Sequence, residues 1–175
     1  HANFSSGIRA AQDNVLSDIR RLTVLKIRVA GTIIDRPFAA NDWGWGDRKF
    51  SELFPAPQLM TRELDKLGVK SLIWIANRAE GELKREAERH LFMGDDKRPA
   101  VNFLDSVAAK NILEHHLETL PALGFSGFKI DRGDEDEMPA EEMNRHGEAF
   151  PELAAAVLDK HFDDYETLQY MSGGA

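Results

Sequence analysis

A chain of 175 residues that is 42% hydrophobic carries enough apolar side chains for one sizeable core, and falls in the range of a single domain or part of one. Its 30 acidic residues against 22 basic ones leave a net charge of -8, which argues against nucleic-acid binding by general electrostatic attraction and favours a neutral or small polar ligand. Cysteine is absent, which excludes disulfides, thiolate zinc sites and thiol nucleophiles, and no apolar run approaches the roughly 18 residues needed to span a bilayer. The opening segment HANFSSGIRAAQDN lacks a secretory core, so the chain is expected to be soluble, without a membrane partner, in a compartment that composition leaves open.

The first periodic segment, NVLSDIRRLTVLK, repeats Val15, Leu16, Ile19, Leu22 and Leu25 at three- and four-residue spacing, which predicts a helix with Asp13 as N-cap. VAGTIID is a short β-branched run with Pro37 close behind, the pattern of a buried strand ending at Asp35. Residues 36–55 are rich in Gly, Asn, Asp and aromatics without a sustained period, and read as a long functional loop. Pro57 opens a helix through QLMTRELDKL, Gly68 closes it as a C′ residue, and VKSLIWIA follows as a second buried strand. From Asn77 to Pro99 charges dominate, which predicts an exposed surface insertion with a solvated helix inside it. Ser106 can cap the helix VAAKNILEHHLETL, with Val107, Ile112, Leu113, Leu117 and Leu120 facing inward; Gly124 ends it and the strand FSGFKID begins. After Asp131 come the acidic loop RGDEDEMP, a helix from about Pro151 to Phe162 marked by Leu153, Val157 and Leu158, and LQYM as the candidate opening of a fourth strand.

Apolar strands separated by helical patterns pair in parallel with helices packed outside, so the class is α/β. In such folds the functional residues gather at the carboxyl ends of the strands. There the three clear strands deliver Asp35, then Trp74 with Asn77 and Arg78 just beyond, then Lys129 and Asp131. Two carboxylates, a cation and an indole on one rim suit a sugar, whose hydroxyls need charged hydrogen-bonding partners and whose apolar face stacks on aromatics. A strand-end carboxylate is also a common cap or ion-pair partner, and a Trp inside an apolar strand is commonly core; it is the coincidence of all four that points to a site.

The run DWGWGDRKFSELFPAPQLMTRELDKLGVKSLIWIANR, with its Trp- and Asp-bearing loop, Phe-Pro-x-Pro step, Leu-Gly-x-Lys and Trp-Ile strand, resembles the signature of family-31 glycoside hydrolases. The later run VNFLDSVAAKNILEHHLETLPALGFSGFKIDRGDEDEMP resembles that family's next module, in which a helix leads through Leu-Gly-x-x-Gly-Phe-Lys-x-Asp to the nucleophile. The likeness runs in order from about Asn14 to Pro139. It implies a retaining α-glycosidase, α-glucosidase-like, on a (β/α)8 TIM-type barrel, with residues 1–175 as an N-terminal part holding about half of that barrel. It also implies Asp131 as the carboxylate that forms the covalent glycosyl-enzyme, with Lys129 on the same strand face holding the sugar or that carboxylate. Asp35 would grip sugar hydroxyls, and Trp45, Asp47, Trp74 and Arg132, with Trp43, would line the pocket. The ligand implied is an α-linked oligosaccharide or glycoside, with no cofactor and no metal.

The family's acid/base aspartate lies on a later strand, beyond Ala175, so the chain alone is expected to be nearly inactive. Its open strand edges are expected to drive association with the missing part of the barrel or with itself. Phe38 stands where many members carry Trp, DRGDEDE is more acidic than the commoner Asp-x-Gly-Glu, and LQYMSGGA matches the family's Ser-Gly-x-Ala-Gly turn in part.

The rival reading is a non-catalytic sugar-binding or self-associating half-barrel that keeps the pocket without the second carboxyl. Asp131, Asp134, Asp136 and Glu137 taken as a calcium loop lack the twelve-residue frame and closing Glu of an EF-hand, so a solvated acidic loop is expected. His115 and His116 are adjacent on a helix and point in different directions, and His146 is expected at the surface. Gly44 and Gly46 do not open a helix after a strand, and no nucleophile elbow is present, which argues against nucleotide or serine-hydrolase chemistry.

Overall fold

The computed structural model describes residues 11–41, 44–76, 78–92, 99–131, 138–163 and 166–169. Along them run α1 (Gln12–Val24), β1 (Gly31–Ile34), α2 (Pro57–Lys66), β2 (Lys70–Ala76), α3 (Gly81–Glu86), β3 (Leu91–Phe92), β4 (Ala100–Val101), α4 (Val107–Glu118), β5 (Gly127–Asp131), α5 (Ala140–Asp159) and β6 (Glu166–Gln169). Strands joined through helices pair in parallel, and β1, β2, β5 and β6 do so in chain order, while β3 and β4 form a separate antiparallel pair. Crossovers between parallel strands are right-handed, so a sheet built in sequential order carries its helices on one face. That is the single winding of a β/α barrel. The expected α/β class is therefore found, with a four-stranded sheet and no closed barrel among the described residues.

The register assigns the two faces of the sheet. Ile34 aligns with Ile73 and Ile73 with Phe128, and this face, continued by Ile75 and Ile130, is sealed, each residue 2% exposed or less. It joins Met60 and Leu64 of α2, Leu113 and Leu117 of α4, and Leu153 and Val157 of α5 in one hydrophobic core. The opposite face carries Ile33 and Leu72, then Trp74 and Lys129, then Ala76 and Asp131.

Several local expectations hold. Ser106 Oγ accepts from the Ala109 N–H at 3.2 Å and caps α4, and Gly68 and Gly124 take positive φ, at 70° and 90°, where α2 and the turn after α4 end. Others are corrected. Asp13 lies in the first turn of α1 and Ala11 is its N-cap; that helix end is fixed from outside, by Gln12 N–H donating to Leu53 O at 2.8 Å and Gln12 Oε1 accepting from Ala56 N–H at 3.0 Å. Val107, the first residue of α4, is 77% exposed, and the inward place on that helix belongs to His116. Pro151 lies inside α5, which begins at Ala140, because the buried stripe His146, Phe150, Leu153, Ala154, Val157 and Leu158 runs through it without a break. His146 is thus buried, not superficial. The charged segment after β2 is not a plain surface insertion: Ala79, Leu83 and Ala87 are buried, and its ends are joined by the Arg78–Ala100 bridge and by Ala79 N–H donating to Pro99 O at 2.7 Å. The fourth strand begins earlier than LQYM, and Tyr170 and Met171 lie outside the described residues. No described helix is long and apolar enough to cross a membrane.

Candidate active site

Alternation along β5 puts Lys129 and Asp131 on the same face, and the pairing of Trp74 with Lys129 adds the indole to it. Asp35, one residue beyond the Ile34–Ile73 pair, continues that row. The four side chains meet. Lys129 Nζ donates to Asp35 Oδ2 at 2.8 Å and lies 3.3 Å from Asp131 Oδ2, which also accepts from Trp74 Nε1 at 2.8 Å. Asp35 Oδ1 accepts from the Arg36 N–H at 2.7 Å, so this carboxylate caps the next turn and pairs with Lys129 at once. Side-chain exposure rises from 9% at Lys129 through 19% at Asp131 to 38% at Asp35. A nearly buried ammonium is tolerable with two carboxylates around it, and together they present oriented oxygens to the open side of the strand ends.

The turn Trp45–Asp47 packs against β2, with Trp45 2% exposed and its Nε1 without a hydrogen-bond partner among the described residues. Asp47 is buried, and both its oxygens are engaged: Oδ1 accepts from the Glu82 N–H at 2.6 Å, at the start of α3, and Oδ2 accepts from Asn41 Nδ2 at 2.6 Å. Gly81, at φ 56°, makes room for that carboxylate, since a Cβ there would stand 1.6 Å from Asp47 Oδ1. The turn is fastened further by four side chains that the sequence patterns do not single out, His116, Glu86, Arg48 and Glu82. His116 Nδ1 lies 2.5 Å from Gly46 O and Nε2 lies 3.0 Å from Glu86 Oε2, while Arg48 bonds Glu86 Oε1 at 2.8 Å and Glu82 Oε2 at 3.2 Å. The His116 hydrogen bond, with Arg48 adding to it, holds the Glu86 carboxyl below its ordinary range. A helical His next to a second His, four residues beyond Ile112, was the one signal available in the sequence.

Arg78 pairs with Glu80 and bridges to Ala100. Arg132, Trp43 and Asn77 lie outside the described residues, as do Asp134, Asp136 and Glu137 of the acidic loop. Among the described residues no group of three or more His, Asp or Glu side chains is placed to hold a metal ion.

A singly wound parallel sheet with charged and indole side chains gathered at its carboxyl ends is the arrangement on which β/α-barrel enzymes place their active sites. Solved structures of such enzymes match the chain. It superposes on a family-31 glycoside hydrolase, a dextranase from Flavobacterium johnsoniae complexed with isomaltotriose, with a TM-score of 0.75 at 12% identity, covering 94% of this chain and 24% of that one. It matches a cycloalternan-degrading enzyme from Trueperella pyogenes with a TM-score of 0.72 at 16% identity, over 93% of this chain and 30% of that one. A family-31 α-xylosidase from Xanthomonas citri gives 0.69 at 15% identity, over 96% and 22%. The fold is therefore that of a segment of these enzymes, and the chain spans less than a third of their length. No protein-family model and no curated protein matches the sequence.

Proposed function

We propose that the chain is part of the catalytic barrel of a retaining α-glycosidase acting on α-linked oligosaccharides, with Asp131 as nucleophile. The observation that carries this reading is the convergence of Asp35, Trp74, Lys129 and Asp131 at the ends of three adjacent parallel strands. Two donors on one oxygen fix the orientation of the Asp131 carboxylate, which a nucleophile attacking along a defined line requires. Asp35, already paired with an ammonium and a backbone N–H, is suited to gripping a sugar hydroxyl rather than giving up a proton.

In the first step an Asp131 oxygen bonds to the anomeric carbon as the glycosidic C–O bond breaks. The leaving alcohol takes its proton from a second carboxyl, supplied by a later strand roughly 5 to 5.5 Å from the first. Water then attacks the glycosyl ester, the second carboxyl accepts its proton, and Asp131 is released as carboxylate. Trp45 forms a wall of the pocket, Arg132 extends it, and Asp47 contributes by holding the turn that carries Trp45. Turnover requires this second carboxyl together with Asp131, whereas sugar binding does not.

A fluorinated α-glycosyl fluoride that traps the covalent intermediate tests this, applied to the chain alone and to a longer polypeptide carrying the remaining strands. Peptide mapping is expected to find the label on Asp131 in the longer polypeptide. Label on another carboxylate overturns the assignment, and saturable sugar binding with no label in either form favours the non-catalytic reading.

A further inference from the structure

His116 belongs to α4, between Leu113 and Leu117, and is fully buried. Its two ring nitrogens reach two elements, the Trp45 turn through Gly46 O and α3 through Glu86 Oε2. A carbonyl oxygen accepts only, and so does an ionised carboxylate, so the ring satisfies both partners only when it carries two N–H groups. The charged groups around the ring are mixed in sign. Glu82 and Glu86 of α3 face Arg48 of the turn, Arg48 Nη1 lies 3.0 Å from the outward His115 Nε2, and Lys49 and Arg85 stand 4.0 Å from Glu82. Asp47, the other acid of the turn, is engaged by Asn41 and the Glu82 N–H.

We propose that His116, as a buried imidazolium, is the positioning residue that locks the Trp45 turn over the strand ends, so that the shape of this wall of the site depends on one ring proton. The proposal rests on the reading of the strand ends as a sugar site. Both arms of the ring converge on the turn: one holds its Gly46 carbonyl directly, and the other holds α3, whose first turn Asp47 caps. Either neutral tautomer keeps one arm and turns a lone pair toward the partner of the other. Gly46 is closely packed against both helices, since a Cβ there would meet Leu83 Cβ at 2.9 Å and His116 Nδ1 at 3.3 Å.

The experiment follows ring nitrogens and tryptophan indoles by NMR through a pH titration of the whole chain, together with isomaltose titrations read by tryptophan fluorescence. His116 is expected to show two protonated nitrogens while the clasp is closed, and the Trp45 indole resonance is expected to move as the ring loses a proton. Isomaltose affinity should fall roughly fivefold over the same range, the effect of one net hydrogen bond. Glu86→Gln gives the neutral ring an amide donor, so this variant should hold the Trp45 resonance and the affinity level across the titration; His116→Phe should show the open state throughout. Because Glu86→Gln is nearly isosteric, the test does not depend on the folding of His116→Phe. A single-protonated ring in the closed state, or a Trp45 signal indifferent to the titration of His116, overturns the proposal. Coupled titration of His116 and Trp45 with no isomaltose binding at any pH leaves the positioning role standing and removes the sugar-site reading instead.

Discussion

Without the ammonium of Lys129, Asp35 and Asp131 would face each other across a space now filled by a cation whose side chain is 9% exposed. Lys129→Met is expected to cost about 1–3 kcal/mol in urea unfolding, less than a fully buried pair would lose because Asp35 is 38% exposed to screening water. A change below about 0.5 kcal/mol would mean the three groups are not coupled. His146 gives a second prediction at this scale. Burial among Phe92, Phe103 and Phe150 pushes its pKa down to about 4 from an ordinary 6.5, and a hydrogen bond with the Val101 backbone opposes this in part. The unfolded chain therefore takes up the proton first. Stability is complete above about pH 6.5, falls as the pH drops toward about 4, and levels off below, a loss of about 3 kcal/mol. His146→Phe keeps an aromatic ring in the cluster and removes the titration, so its urea midpoint should fall much less than wild type between about pH 7.5 and 4.5. Parallel curves for the two proteins would show that this ring is not the acid-sensitive group.

Helix α5 runs for 20 residues with Pro151 in its interior, where a proline removes one N–H and crowds the carbonyl four residues back. The stripe from His146 to Leu158 outweighs that penalty by packing on both sides of the proline. Pro151→Ala is therefore expected to stabilise the chain by about 1–3 kcal/mol and to raise the thermal midpoint followed by circular dichroism. A destabilised variant would mean that the proline itself fills a place in the core. The same residue shows what could be read from the sequence. Strands β1, β2 and β5 and the caps at Ser106 and Gly68 were legible because their signals are local: an apolar run with a boundary, a hydroxyl before a helix, a glycine after one. Pro151 gave a local signal too, that of a helix start, and tertiary packing overrode it. At the candidate site, position at the strand ends announced that Asp35, Trp74, Lys129 and Asp131 lie together. The clasp of Gly46, Glu86 and His116 was silent, because its ring bond spans 70 residues and no spacing rule connects a loop glycine to a helix so far along the chain.

Taken whole, the sheet leaves β1 paired with β2 on one side and with no described strand on the other. Exposure falls along β1 from Gly31 to Ile34, as at the margin of a core. The segment leading into that edge is apolar and open to solvent: Val24 is 81% exposed, Leu25 58% and Ile27 51%. An unpaired strand edge beside an apolar patch combines two features that promote association, backbone groups seeking partners and surface whose burial is favourable. The 175-residue chain is expected to sediment as a concentration-dependent mixture, and Val24→Glu combined with Ile27→Lys to shift it toward monomer without altering its far-UV spectrum. The net charge of -8 works against this by mutual repulsion, so added salt should strengthen wild-type association and do so less in the double variant. A wild-type chain that stays monomeric at every concentration and salt level would mean that the edge is covered, and that residues outside the described ones supply the cover.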